Sequence, residues 1–338
     1  MKLKRWIAPI LVCALLFVLM AYTAGWLLMP PRQDFGSTWS RYRQEPENSI
    51  DVMFFGSSLT YCNIVPAVIW EDSGITSYLM AGPEQTIPFT CSYIKEACRT
   101  QSPKVIAIEI TGMFYDRYCN YSKVNAGYMP WTTNRIESIF SAAEPELRAG
   151  LMFPLFDYHS RWREVNPPDF KMQIGPPTDP DAGYTFLTQA SPQGEIAYRD
   201  FSANTENYAR NRDYLQDIYD FCLERDIQLM LFLTPTKGRI PDEALSVLKQ
   251  DAAALDGVLF VDFNEHMDEL NIDDNSDWYD FLHFNFRGAE KFSHHMASYL
   301  KDSLGLIPGA TADSVLWQSR VDAFATRRDD ANALDQSE

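Results

Sequence analysis

Asp51-Val-Met-Phe-Phe-Gly-Ser-Ser-Leu-Thr60 is a short apolar run that stops at a glycine and is followed at once by two hydroxyls. Val52 to Phe55 has the length and composition of a buried parallel strand. A strand ending at Gly56 sets Ser57 and Ser58 at the carboxyl end of a sheet, the edge where open α/β folds keep their ligand sites. Two readings stay open from these residues alone. Either serine can cap the next helix, or its hydroxyl can serve a site.

The flanking sequence repeats the theme. Pro66 to Asp72 suits a helix, with proline at an early turn. Ser77 to Ala81 is a second strand-like run, and it too ends at a glycine, Gly82. From Thr86 to Arg99, Ile87, Cys91, Ile94 and Cys98 recur at helical spacing, and Lys104 to Ile110 is the clearest strand. The alternation returns after residue 200. Asn204 to Arg225 reads as helix, Ile227 to Leu233 as strand, Pro241 to Leu255 as helix and Val258 to Phe263 as strand. Gly288 to Leu304 reads as the last helix. Residues 50–308 therefore predict a three-layer α/β domain on a parallel sheet. Residues 112–200 interrupt it with a segment rich in Tyr, Trp, Phe and Pro. No parallel-strand signal is visible there, and helix is expected over Arg135 to Leu151. A long insertion at the carboxyl edge of a sheet shapes a binding surface or lid.

The ends differ in kind. Lys2, Lys4 and Arg5 precede Trp6 to Met29, an uncharged and mostly apolar run of 24 residues, and about 20 helical residues span a bilayer core. The basic flank predicts a cytoplasmic N-terminus with the domain across the membrane. A cleaved signal peptide would have a shorter apolar core and a small residue where Tyr22 stands. Residues 1–31 thus read as cytoplasmic stub and single-pass anchor. Residues 32–49 read as a polar linker opened by Pro30-Pro31, and 309–338 as a polar, acidic, loosely held tail. The net charge of −17 argues against a nucleic-acid partner and against adhesion of the domain to anionic lipid. Besides Cys13 there are five cysteines, Cys62, Cys91, Cys98, Cys119 and Cys222. No disulfide framework is legible among them.

The second key segment is Asp277-Trp-Tyr-Asp-Phe-Leu-His-Phe-Asn-Phe-Arg287. A hydroxyl nucleophile needs a base within hydrogen-bond reach, and the base needs an orienting acceptor. Asp280 and His283, three apart, meet both needs if their turn faces Ser58. Taken together, Gly56-Ser57-Ser58 after the first strand, Gly82 after the second and Asp280-x-x-His283 near the end resemble the SGNH (GDSL-type) hydrolases. The resemblance covers about residues 50 to 305 and implies an SGNH/flavodoxin-like fold. It implies Ser58 as nucleophile, His283 as base, Asp280 as its orienter, and the Ser58 and Gly82 amides as oxyanion hole. Ser57 replaces the aspartate of that family's first block. Its third block, Gly-x-Asn-Asp, is absent, since the chain reads Glu109-Ile-Thr-Gly-Met-Phe-Tyr-Asp116. Losing one such donor costs on the order of 10²–10³ in rate, unless Thr111 or an insertion residue substitutes. An anchored chain with a Gly-Ser-Ser block is similar to cell-surface acylation proteins, the D-alanine-transfer protein of teichoic acids and the alginate O-acetylation proteins. That branch implies an acylated surface glycan or polymer as substrate and a membrane-bound O-acyltransferase as partner. The rival reading is a non-catalytic glycan-binding or accessory protein.

Other residues have plainer roles open to them. His159, Arg161 and Trp131 are candidates for substrate binding at a cleft rim, as Trp162 and Tyr128 are for stacking on sugars, but packing accounts for the aromatics equally well. Cys62 is not at a strand end and is set aside as nucleophile. Asp273 to Asp277 lacks the glycine and closing glutamate of a calcium loop. His294 and His295 are adjacent and cannot share a helical face, so no metal site is expected. No phosphate loop is present, and no cofactor is implied.

Overall fold

The computed structural model describes residues 4–32, 36, 39–118, 120–309 and 313–335; Lys2 and Cys119 lie outside them. The chain enters through α1 (Lys4–Leu28) and the one-turn α2 (Trp39–Tyr42). Its sheet consists of β1 (Val52–Gly56), β2 (Ser77–Ala81), β3 (Val105–Glu109), β5 (Gln228–Leu233) and β7 (Leu259–Asp262). All are parallel, in the order β2-β1-β3-β5-β7. β4 (Ala197–Tyr198) and β6 (Gly238–Arg239) pair separately.

The two-residue period of a strand divides each run between two cores. Met53, Phe55, Ile106, Ile108, Leu229 and Leu231 face one side, where α5 (Ile87–Ala97), α11 (Glu206–Leu223) and α12 (Asp242–Ala253) cover them. Val52, Phe54, Val105, Ala107, Met230 and Phe232 face the other, under α4 (Pro66–Ser73), α13 (Phe286–Ser298) and α14 (Ser314–Asp335). The result is the three-layer α/β architecture expected from the alternation. Progression across the sheet reverses between β1 and β3, and that switch point opens a crevice at their carboxyl ends.

Several expectations need correction. The 112–200 segment is helical, with α6 (Ser122–Gly127), α7 (Thr133–Ala142), α8 (Arg148–Met152), α9 (Leu155–Tyr158) and α10 (Pro167–Ile174). The helix expected over Arg135 to Leu151 breaks in two, with Ala143 extended after α7 and Pro145 two residues on, where a continuing helix is disfavoured. The segment also closes on β4, a parallel pairing too short to leave a sequence signal. Nor is the linker merely a linker, since Trp39, Tyr42 and Glu45 within it are buried.

The tail is the largest correction. Gly288 to Leu304 is not the last helix, because α14 follows, capped by Asp313 accepting from the Val315 and Leu316 amides. Trp317, Val321 and Phe324 are buried, at the i, i+4, i+7 spacing of an amphipathic helix. Arg320 lies among them, donating to the Asp179 carbonyl at 3.0 Å and pairing with buried Glu45. Burial pushes the Glu45 carboxyl up, against the pull of Arg320. Removing one partner of a buried pair strands the other. Arg320→Met is therefore expected to cost about 3–5 kcal/mol, read as a lower urea midpoint, with much of the loss recovered in the Glu45→Gln/Arg320→Met double variant.

Candidate active site

Gly56 closes β1 with φ +142, a conformation that favours glycine. A Cβ there would also come within 2.4 Å of Thr60 Oγ1 and 2.9 Å of Glu109 Cβ. The chain turns at once into α3 (Ser58–Tyr61). Ser57 stands at the N-cap position of α3, but neither serine caps the helix with its side chain. Ser57 makes no capping bond, and its hydroxyl lies 3.2 Å from Tyr115 Oη. Ser58 opens the helix, so its amide is among those a helix leaves without an internal acceptor. Its Oγ lies 2.7 Å from His283 Nε2.

His283 sits in a tight turn before α13. Its Nδ1 is 2.9 and 3.0 Å from the two Asp280 oxygens. With that proton donated to Asp280, Nε2 is left to accept from Ser58. Asp280 Oδ1 also accepts from the Leu282 and His283 amides at 2.7 and 2.9 Å. Burial raises the Asp280 carboxyl, but the His283 hydrogen bond and charge and these two amides outweigh it and hold it below its usual range. The turn is braced from both sides. Trp278 and Phe284 bridge its ends, Asn285 caps α13, and the Phe284 amide donates to Asn63 Oδ1 at 2.9 Å. Asn63 comes from just beyond α3, so one buried side chain ties the serine segment to the histidine segment. Sequence reading missed it, as a lone asparagine carries no signal.

Gly82 follows β2, whose Ala81 pairs with Gly56, so the two glycine ends lie side by side. A Cβ on Gly82 would come within 2.1 Å of Asn125 Oδ1. Asn125 is the insertion residue that reaches this edge, but its amide donates to the Pro83 carbonyl at 3.0 Å. Thr111, where the third block would fall, donates its hydroxyl to Glu109 Oε1 at 2.6 Å. Both side chains thus have other engagements.

Glu109 is buried, and burial pushes its carboxyl up to about 7 against the opposing pull of the Thr111 hydroxyl and amide. Because the folded value exceeds the ordinary 4.5, the folded state keeps the proton longer. This contribution to stability is full below about 4.5 and declines as pH rises to about 7. Glu109→Gln is expected to remove that decline, which amounts to on the order of 2 kcal/mol between pH 5 and pH 8. Urea midpoints at the two pH values check it.

The proposed rim residues have other partners. Arg161 donates to the Leu28 carbonyl at 2.7 Å and pairs with Asp169 at 3.0 Å. His159 Nδ1 lies 3.2 Å from the Phe156 carbonyl, and Trp131 packs edge-on against Tyr22 of α1. These three belong to the junction of insertion and α1. Cys62 is buried, and burial together with the Asp280 charge pushes its thiol well up, against a nucleophilic role. His294 pairs with Asp72. His295 instead gathers with His266 and Glu269, their ligand atoms within 4.8 Å of one another, a grouping that adjacency in sequence concealed.

No family model matches the chain, and no curated protein does. Among solved structures it is similar to a proposed acylhydrolase from Bacteroides fragilis, with 12% identity over 79% of this chain and 95% of the other and a TM-score of 0.39. It is also similar to a proposed GDSL-like lipase from Parabacteroides merdae, with 12% identity, 83% and 98% coverage and a TM-score of 0.31.

Proposed function

We propose that the chain is an SGNH-type serine O-acyl esterase or O-acyltransferase, anchored by α1 with its domain outside the cytoplasm. One observation carries this reading: the unbroken hydrogen-bonded path from Ser58 Oγ through the His283 ring to Asp280. Ser58 Oγ attacks the acyl carbonyl as its proton passes to His283 Nε2. The Ser58 and Gly82 amides receive the oxyanion. The alcohol leaves with the proton from His283, and the acyl group stays as an ester on Ser58. Water, or an acceptor hydroxyl, then repeats the steps in reverse. Asp280 keeps the ring in the working tautomer and balances its charge.

Beside α3 lies a cleft of about 230 Å³ whose walls mix apolar Leu59, Ile196 and Ile240 with Arg199, Arg239 and the carboxylates Asp242 and Asp262, and neither Ser58 nor His283 lines it. The substrate class we infer, an acylated surface glycan or polymer, rests on the resemblance to cell-surface acylation proteins and not on this cleft. A membrane-bound O-acyltransferase is the partner that this role implies. α1 supports the anchored reading, since Trp6–Leu28 is long and apolar enough to cross a membrane, with mean hydropathy 2.4.

The second reading, a non-catalytic accessory protein, draws on the missing third-block asparagine. Full-length protein tested on p-nitrophenyl acetate and acetylated glycans separates the two. Ester hydrolysis above the uncatalysed rate, or acyl transfer to an added glycan, is expected. Neither activity on any ester would leave the accessory reading.

A further inference from the structure

We propose that one face of the insertion, around Phe153, Phe156 and Trp162, lies in the interfacial zone of the bilayer that α1 crosses, so that the domain is seated on the membrane and not tethered above it. The proposal rests on the anchored part of the reading above and not on the chemistry of Ser58.

The first observation is how α1 ends. A helix leaves its last carbonyls without internal partners. Here the insertion supplies donors to the last carbonyl of α1 and to the two that follow it. Arg161 reaches the Leu28 carbonyl at 2.7 Å, Gln173 that of Met29, and the Tyr128 hydroxyl that of Pro30 at 3.0 Å. The guanidinium also complements the negative end of the helix dipole. Lower down, a Cβ on Gly25 would lie 2.4 Å from the Leu155 amide nitrogen, so α1 and α9 meet backbone to backbone. Three polar clasps and a close-packed glycine fix the angle of the anchor. From Trp6 to Met20, α1 is exposed all round, and only from Ala21 onward is it partly covered by the insertion. The covering elements therefore meet α1 over its last two turns, inside the apolar span that runs to Leu28.

The second observation is what those elements show outward. Phe153, Phe156 and Trp162 are 46, 68 and 62% exposed, next to the Leu155 and Arg161 contacts with α1. Exposed apolar patches of this kind mark interaction surfaces. Aromatic side chains are favoured at the level of lipid headgroups, where the ring is apolar and its surroundings are wet. Charge singles out the same segment. Residues 121–174 hold six basic and six acidic side chains, whereas the whole chain carries −17. That neutral stretch of the insertion can approach a bilayer with little charge repulsion. Continuity with α1 selects lipid over a soluble protein as the occupant.

The seat also bears on the site. Gly36 packs against the Ala81 carbonyl, beside Gly82. Gly36 is seven positions beyond Met29, a reach of at most about 25 Å. The Gly82 end of the sheet is thereby held close to the point where the chain leaves the membrane.

The test uses the full-length protein in dioleoylphosphatidylcholine nanodiscs doped with a photoactivatable phosphatidylcholine, followed by peptide mapping. Labelling is expected in residues 6–20 and also in residues 153–163. The second should exceed by at least about tenfold the labelling of the α11 end, where exposed Leu223 serves as an apolar control. Phe156→Asp/Trp162→Asp, which alters only exposed side chains, should abolish the second signal and spare the first. Label confined to residues 6–20 would overturn the seat while leaving the anchor intact. Label in neither would remove the anchor and the seat together, and esterase activity, measured separately, is untouched by either result.

Discussion

Replacing Ser58 with alanine is expected to lower ester hydrolysis by roughly 10⁴-fold or more while hardly moving the thermal melt. The size follows from the path of the proton. Ser58 Oγ is the atom that His283 Nε2 faces at 2.7 Å, and alanine leaves the ring with nothing to deprotonate. The small effect on stability follows from position. Ser58 sits at the first turn of a four-residue helix, is not fully buried and caps nothing. Only one side-chain hydrogen bond is lost, about 0.5–1.5 kcal/mol. A variant that loses activity by unfolding would melt many degrees lower, and circular dichroism distinguishes the cases.

Asp280→Asn is expected to lower kcat by about 10³–10⁴-fold with little change in KM. An asparagine cannot present two anionic oxygens to the Nδ1 proton. Its amide favours the tautomer with Nε2 protonated, which cannot take the Ser58 proton. The pH response should change as well. The Asp280 carboxyl is held below its usual range chiefly by its bonds to His283 and two amides acting against burial. Its contribution to stability is therefore present above the unfolded carboxylate value and lost as pH falls through the lower folded one. The asparagine variant should lack that acid-side loss. Because the two residues act as one unit, Ser58→Ala/Asp280→Asn should be no slower than Ser58→Ala alone. Additive losses would mean that the carboxylate acts apart from the hydroxyl.

The core strands were legible because each is a short apolar run punctuated by a glycine, a polar turn or the start of a helix. Parallel strands buried on both faces cannot hide in a sequence. Ser58, Asp280 and His283 were legible for another reason: the first follows a strand end, and the other two share one turn. The fold brings Ser58 and His283, 225 positions apart, to a contact of 2.7 Å.

What escaped has physical causes. α14 was passed over for its polar composition, although Trp317, Val321 and Phe324 already drew an apolar stripe. Its anchor, Arg320, is a charge whose burial depends on Glu45, 275 positions away. Asn63 and Asn125 act through single hydrogen bonds or close contacts, which no local pattern announces. His159, Arg161 and Trp131 read as cleft residues in the sequence because aromatic and cationic residues suit sugars. The same residue types suit packing against the end of α1, and tertiary contacts decide between the two uses.

The central claim is that Ser58 is an activated nucleophile. Its most direct test is reaction of the full-length protein with an alkyl fluorophosphonate, read by intact mass and peptide mapping. One adduct per chain on Ser58 is predicted, absent in Ser58→Ala and strongly slowed in Asp280→Asn. An adduct on another residue, or undiminished labelling of Ser58→Ala, would contradict the account.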